Sequence, residues 1–127
     1  IDYFKSVNDQ LGHLAGDQVL KSLARLLQSS FRKSDAVIRY GGEEFLLVLF
    51  DVDPERMSEM MEELRRKVKN QRFSWQGNPI RISVSIGWAS CPACLKQSEL
   101  EEHIARIDAA LYTAKSTGRD LVVRATD

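Results

Sequence analysis

Apolar positions recur in three stripes at helical spacing, separated by shorter runs with strand character. Val19, Leu20, Leu23, Leu26, Leu27 and Phe31 share one face, predicting a helix that starts with Asp17 as N-cap and runs to about Ser30. Met57, Met60, Met61, Leu64 and Val68 form a second stripe behind Asp53-Pro54, an N-cap followed by Pro at the first helical position. A methionine cluster at this spacing reads as core filling. Leu100, Ile104, Ile107, Leu111 and Ala114 form the third, opened by a capping-box pattern at Ser98-Glu99-Leu100-Glu101 and ended by Gly118. Between the stripes, Ile1-Asp2-Tyr3-Phe4 reads as the tail of a strand, followed by a polar connection from Lys5 to Asp17. Asp35–Ile38 and Phe45–Phe50 read as two strands, the second a run of six apolar residues, long enough to be buried on both faces. Gly41-Gly42 between them is a two-residue hairpin signal resting on positive φ. Arg72–Trp75 and Pro79–Trp88 predict a second hairpin across Gln76-Gly77-Asn78, the longer strand alternating Ile80, Ile82, Val84 and Ile86 with Arg81, Ser83 and Ser85. Leu121-Val122-Val123 is a last short strand. The order β-α-β-β-α-β-β-α-β predicts an α+β fold, a mostly antiparallel central sheet covered by helices, in a single domain over residues 1–127.

Composition narrows the function classes. The 127 residues carry 18 basic and 18 acidic side chains, so no basic footprint argues for bulk nucleic-acid binding. No apolar run approaches the roughly 18 residues of a membrane span, and no signal or lipidation motif is present, so a reducing, cytoplasmic setting is expected. Cys91 and Cys94 form one C-x-x-C, which supplies two zinc ligands where a structural site needs four. A redox role through a lowered thiol pKa is open, but an incidental reduced pair in a variable loop is preferred. Ile1 opens on a strand-like segment without Met, which suggests a fragment of a longer protein.

Four groups of residues exceed what a scaffold requires. Glu43 and Glu44 follow the Gly-Gly turn at once, where paired carboxylates beside bare backbone suit an anion-bearing ligand with a divalent metal between. The plainer reading makes them the solvated shoulder of a turn, and on the heptapeptide Arg39–Phe45 alone the two readings stand level. Asn8 and Asp17 flank a glycine-bearing loop, and an amide with a carboxylate can read a guanine edge. A turn for Asn8-Asp9 and a cap for Asp17 are the plainer readings, and taken alone each residue reads as structural. Lys115 and Arg119 lie near a helix C-terminus, in a stripe with Asp108 and Tyr112; such cations complement the macrodipole or clamp a phosphate. Arg32 and Asp35 flank a turn before the central strand and suit an ordinary surface ion pair.

Taken together these segments resemble the GGDEF domain of diguanylate cyclases. Ile1–Asp9 with Gly12-His13 and Gly16-Asp17 is similar to its front half, Arg39-Tyr40-Gly41-Gly42-Glu43-Glu44-Phe45 to its signature in the GGEEF form, and Asp108–Lys115 with Gly118-Arg119 to its C-terminal helix motif. The resemblance implies a fold like the palm of nucleotidyl cyclases and polymerases, with a ferredoxin-like core. It implies condensation of two GTP into cyclic di-GMP with release of pyrophosphate, in a homodimer whose two half-sites face each other. By position, Asn8 and Asp17 read guanine with His13 close by, and Tyr3, Phe4 and Lys5 lie by the phosphates, which Lys115 and Arg119 clamp. Glu43 and the Ile1 carbonyl bind Mg²⁺ or Mn²⁺, and Glu43 or Glu44 assists deprotonation of the 3′-hydroxyl. Arg32-x-x-Asp35 falls where many members carry a product-inhibition site; the arginine on the next helix that often completes it in the family is replaced by position with Glu63 here, a departure, with Arg65 and Arg66 nearby.

Two further departures qualify the resemblance. The family's first metal-binding Asp would immediately precede Ile1, and Asp2, on the other face of the strand, is no obvious substitute. The 127 residues alone are therefore expected to be weakly active or inactive, with an upstream regulatory domain, and possible membrane tethering, belonging to the parent. The Cys-x-x-Cys pair is not an element of the family pattern. A GTP or cyclic di-GMP receptor without turnover, and a dimerisation module, are the alternatives; the intact Glu43-Glu44, Asn8, Asp17, Lys115 and Arg119 favour the cyclase.

Overall fold

A computed structural model describes residues 1–92 and 95–126. Along them the chain runs α1 (Phe4–Leu11), α2 (His13–Ser30), β1 (Ala36–Arg39), β2 (Phe45–Val48), α3 (Pro54–Asn70), β3 (Phe73–Trp75), β4 (Asn78–Ile80), β5 (Ile86–Trp88), α4 (Gln97–Ser116) and β6 (Val122–Arg124). The α+β expectation holds. Among the described residues β1 pairs with β2 and β3 with β4, both antiparallel, while β5 and β6 pair in parallel.

The first seventeen residues depart most from expectation. Ile1–Tyr3 is a turn rather than a strand tail, although the Asp2 N–H still bonds the Ser83 carbonyl at 3.0 Å. The expected polar connection is helical, because Phe4, Val7 and Leu11 fall on one face and pack against the core. Gly12, at φ 92°, is the single residue between α1 and α2, and its N–H caps α1 through the Asn8 carbonyl at 2.8 Å. Asp17 consequently lies inside α2, exposed, and is not its N-cap.

The β1–β2 hairpin pairs Arg39 with Phe45, so its connection is the five residues Tyr40–Glu44 rather than two. Neither Gly41 nor Gly42 has positive φ; the loop is closed by Tyr40 N–H to the Glu44 carbonyl at 2.9 Å. Burial is one-sided. Val37, Phe45, Leu47 and Leu49 pack on the core, while Val48 and Phe50, on the opposite face of the pleat, remain 38% and 50% exposed. The Gln76-Gly77 turn does use positive φ at both residues, 48° and 79°, as a two-residue hairpin requires. The long strand expected from Pro79 to Trp88 is interrupted, with Arg81–Ser85 outside any ladder, yet Ile82 and Val84 stay buried.

Helix α3 begins as predicted, the Asp53 carboxylate accepting from the Glu55 N–H at 3.0 Å ahead of Pro54. Met61, Leu64 and Val68 are buried, with Met57 and Met60 partly so. Helix α4 starts two residues early: Lys96 is its N-cap, and the Lys96 N–H is met by the Glu99 carboxylate at 3.2 Å, so the capping role belongs to Glu99 and not to Glu101. Leu100 is left exposed, and Ala110 and Ala114 carry the contact instead. A Cβ on Gly87 would lie 2.5 Å from the Leu111 nitrogen and 2.7 Å from the Ile107 carbonyl oxygen, so α4 rests directly on the β5 backbone. Cys91 is exposed, and Cys94 lies outside the described residues.

Candidate functional site

The loop Tyr40–Glu44 is held from its stem. The Arg39 guanidinium donates to the carbonyls of Gly41 at 3.3 Å and Gly42 at 2.9 Å. A Cβ on Gly42 would meet nothing within 4 Å, and one on Gly41 would meet only Glu44 at ordinary contact distance. The fold itself has no use for glycine at either position. Bare backbone there leaves room for something outside the chain to approach.

The N-terminal segment lies along this loop, the Ile1 nitrogen donating to the Glu43 carbonyl at 3.1 Å. Glu44 and Lys115 border, with Ile1, Tyr40 and Asp108, a cavity of about 180 Å³ whose far wall is apolar. Among the described residues the Glu43, Glu44 and Lys115 side chains have no hydrogen-bond or ion-pair partner.

Tyr3 stands at φ 55° and opens α1, its ring exposed. The Arg119 guanidinium sits 4.6 Å over that ring. Arg119 follows the end of α4, where its N–H bonds the Ala114 carbonyl at 3.0 Å, and Gly118, Arg119 and Asp120 stand at φ 125°, 64° and 50°. Lys115 and Arg119 are therefore brought to the same side as the N-terminal turn. Lys5 is exposed in the first turn of α1.

Asn8 is placed by a glycine. A Cβ on Gly16 would fall 1.9 Å from Asn8 Oδ1 and 3.0 Å from Phe4 Cζ, so the amide and the ring lie against bare α2 backbone. This brings Asn8 beside the residue that precedes Asp17, with His13 one turn earlier on the same face as Asp17. The string from Glu43 through Ile1, Tyr3 and Phe4 to Asn8 and Asp17 is continuous.

Arg32 and Asp35 stand apart from it, at the open end of the hairpin, roughly 13 Å of strand from the glycine loop at the usual rise per residue. The Asp35 carboxylate accepts from the Arg32 N–H at 3.1 Å, the Arg32 Nε at 3.4 Å and the Phe50 N–H at 3.0 Å. Arg32 also donates to the Phe50 carbonyl. Burial pushes the Asp35 pKa up, but the backbone donors of Phe50 and Arg32, with the guanidinium, outweigh it and hold the group below its ordinary value.

Sequence reasoning left Asp2, Gly16 and Asp120 without a role here. Asp2 is 3% exposed and accepts from the Ser83 and Ser85 hydroxyls at 2.8 and 2.6 Å and from the Asp120 N–H at 3.0 Å. No local pattern signals partners 81 to 118 residues away. A glycine inside a helical stripe, as at Gly16, is the one available cue to a close approach.

Comparison with known proteins gives the family. The sequence profile "Diguanylate cyclase, GGDEF domain" matches residues 1–121. Diguanylate cyclase A of Treponema denticola is 36% identical over 122 residues, covering 96% of this chain and 32% of that protein. The GGDEF domain of DgcB from Caulobacter crescentus, solved in complex with c-di-GMP, superposes with a TM-score of 0.86 at 32% identity, covering 98% of this chain and 72% of that one. Diguanylate cyclase SiaD from Pseudomonas aeruginosa, solved with its activator SiaC, superposes equally well (TM-score 0.86) at 35% identity, covering 98% and 46% of the two chains.

Proposed function

The chain belongs to the GGDEF domain family of diguanylate cyclases, and from that premise we propose that it is the catalytic half-site that holds one GTP for condensation into cyclic di-GMP. Two subunits face each other. Each 3′-oxygen forms a bond to the partner nucleotide's α-phosphorus, the bond to the β-phosphate oxygen breaks, and pyrophosphate leaves. Two GTP thus give one cyclic di-GMP and two pyrophosphates, and each 3′-proton passes to Glu43 or Glu44.

One observation supports this reading above the others: Glu44 and Lys115, without hydrogen-bond or ion-pair partners among the described residues, border one cavity beside a glycine loop at which an added Cβ would meet no clash. Asn8 and Asp17 read guanine, the Asp17 carboxylate accepting from its N–H edge. Lys115 and Arg119 hold the phosphates, and Tyr3, Phe4 and Lys5 line their path. Among the described residues no cluster of three or more acidic, His or Cys side chains forms a metal site. The hard oxygens of Glu43 and the Ile1 carbonyl nevertheless fit Mg²⁺ or Mn²⁺, which takes one or two carboxylates and completes its shell with water and phosphate. Such an ion supplies charge neutralisation on the phosphates as the in-line displacement proceeds. The protein's own contribution is placement.

Arg32 and Asp35 act as a product site that lowers activity as cyclic di-GMP accumulates. Their mutual bonds preform the pair, and the carboxylate retains acceptor capacity for a guanine N–H edge while guanidinium donors fit O6 and N7. Among the described residues no helix is long and apolar enough to cross a membrane.

Titration of the chain with GTP, against Asn8→Ala and Asp17→Asn, tests the reading. Guanine-nucleotide binding weakened about tenfold or more by each substitution is expected from the loss of a charge-assisted or paired hydrogen bond. Equal affinity for GTP and ATP would overturn it.

A further inference from the structure

The turn that carries Arg119 is strained and bolted from behind. Arg119 and Asp120 are consecutive non-glycine residues at φ 64° and 50°, a left-handed conformation disfavoured for residues that carry a Cβ. It persists only where the surroundings over-determine it. Here three segments do so. The Asp2 carboxylate takes the Asp120 N–H at 3.0 Å and is itself fixed by Ser83 and Ser85. The Asp120 carboxylate takes Arg65 at 2.7 Å and Lys69 at 2.5 Å, both on α3. Arg65 is further tied to Glu62 at 2.9 Å. On the front, Arg119 lies over the ring of Tyr3, which adjoins Asp2 in the chain and is itself at φ 55°.

We infer that Asp2 and Asp120 are positioning residues for phosphate recognition: they lock the Gly118–Asp120 turn so that Arg119 is presented beside Tyr3 and one turn from Lys115. The inference rests on the GTP reading above. It also explains why the second acidic residue of the N-terminal motif is turned inward, away from the glutamate loop: it anchors the cation side of the site. Burial raises the Asp120 pKa, yet the Lys69 and Arg65 hydrogen bonds more than offset this and hold it below its ordinary value, so the latch is charged at neutral pH. Hydrogen bonds to Glu62 and Asp120 likewise raise the pKa of Arg65.

The test compares GTP with guanosine, which lacks the phosphates, on the full chain, the Asp120→Asn variant and the Arg65→Gln variant. Asp120→Asn keeps the N–H that Asp2 accepts and removes only the charge toward α3. About a tenfold loss of GTP affinity with guanosine affinity unchanged is expected, as for one charge-assisted hydrogen bond removed from the support of a clamp. Amide exchange at Arg119 should quicken in the same variants without nucleotide present. GTP affinity within twofold of the parent, parallel loss of GTP and guanosine, or unaltered exchange at Arg119 would each overturn the inference. A parent chain that takes up neither GTP nor guanosine would overturn the functional reading itself, and is distinguished because no variant is needed to see it.

Discussion

Substituting Gly16 by Ala separates packing from recognition. The added Cβ would sit 1.9 Å from Asn8 Oδ1 and 3.0 Å from Phe4 Cζ, so the Asn8 amide must swing away. That oxygen is the end of a side chain with two free torsions, and the ring needs to give by only a few tenths of an ångström. Overpacking costs about 1–3 kcal/mol, while Gly to Ala in a helix returns up to about 1 kcal/mol. The net change in unfolding free energy is therefore a loss of about 0–3 kcal/mol by these two principles. Guanine recognition should suffer far more, because the amide no longer stands beside Asp17, and GTP affinity should fall about tenfold, as for one lost hydrogen-bonding pair. Urea denaturation and calorimetric titration on the same preparation measure both. Unchanged GTP affinity would refute the role given to Asn8. A stability loss above about 3 kcal/mol would show that Asn8 cannot move as argued.

Gly87→Ala should behave oppositely, since its Cβ would meet α4 backbone at 2.5 Å; a loss of about 3 kcal/mol or more in urea denaturation is expected where backbone has to shift. Gly42→Ala should leave stability within about 0.5 kcal/mol, as for an open surface site, yet lower GTP turnover. Asp35→Ala removes an acceptor from the Phe50 and Arg32 N–H groups, exposed positions where water takes its place, so a loss of no more than about 1 kcal/mol in thermal or urea unfolding is expected, and it should remove inhibition by added cyclic di-GMP. Asp35 and Asp120 both have depressed pKa values in the folded chain. Their contribution is complete above the unfolded carboxylate value of about 3.9 and is lost as pH falls through the lower folded values. Stability measured from pH 6 downward should decline at the acid end, and Asp120→Asn should flatten that decline.

What the sequence made legible was local. Asp53-Pro54 and the stripe from Met57 to Val68 specify α3 because cap, proline and apolar period agree within one segment. Gln76-Gly77 specifies its hairpin for the same reason. The front of the chain was misread because Lys5, Asn8, Asp9 and Gln10 give it a polar, loop-like composition, while three residues, Phe4, Val7 and Leu11, suffice to seat a helix on the core. Gly41-Gly42 looked like a turn requirement and is not one; its use lies outside the fold. The candidate site residues came from the family resemblance, and the structure brings Glu43, Ile1, Tyr3, Phe4 and Asn8 along one side, with Arg32 and Asp35 apart. Partners that hold them, such as Ser83 and Ser85 on Asp2 or Arg65 and Lys69 on Asp120, lie 51 to 83 residues away. Only tertiary structure brings those together.

The central claim is that Glu43 sits in a half-site that makes cyclic di-GMP. Its most direct test is product formation from GTP and Mg²⁺ by the protein that carries this domain, comparing the parent with Glu43→Gln. The account predicts cyclic di-GMP with two pyrophosphates per product, and a rate at least about 10²-fold lower in the variant, the scale of a lost general base. No cyclic di-GMP from the parent, or an undiminished rate in Glu43→Gln, would contradict it.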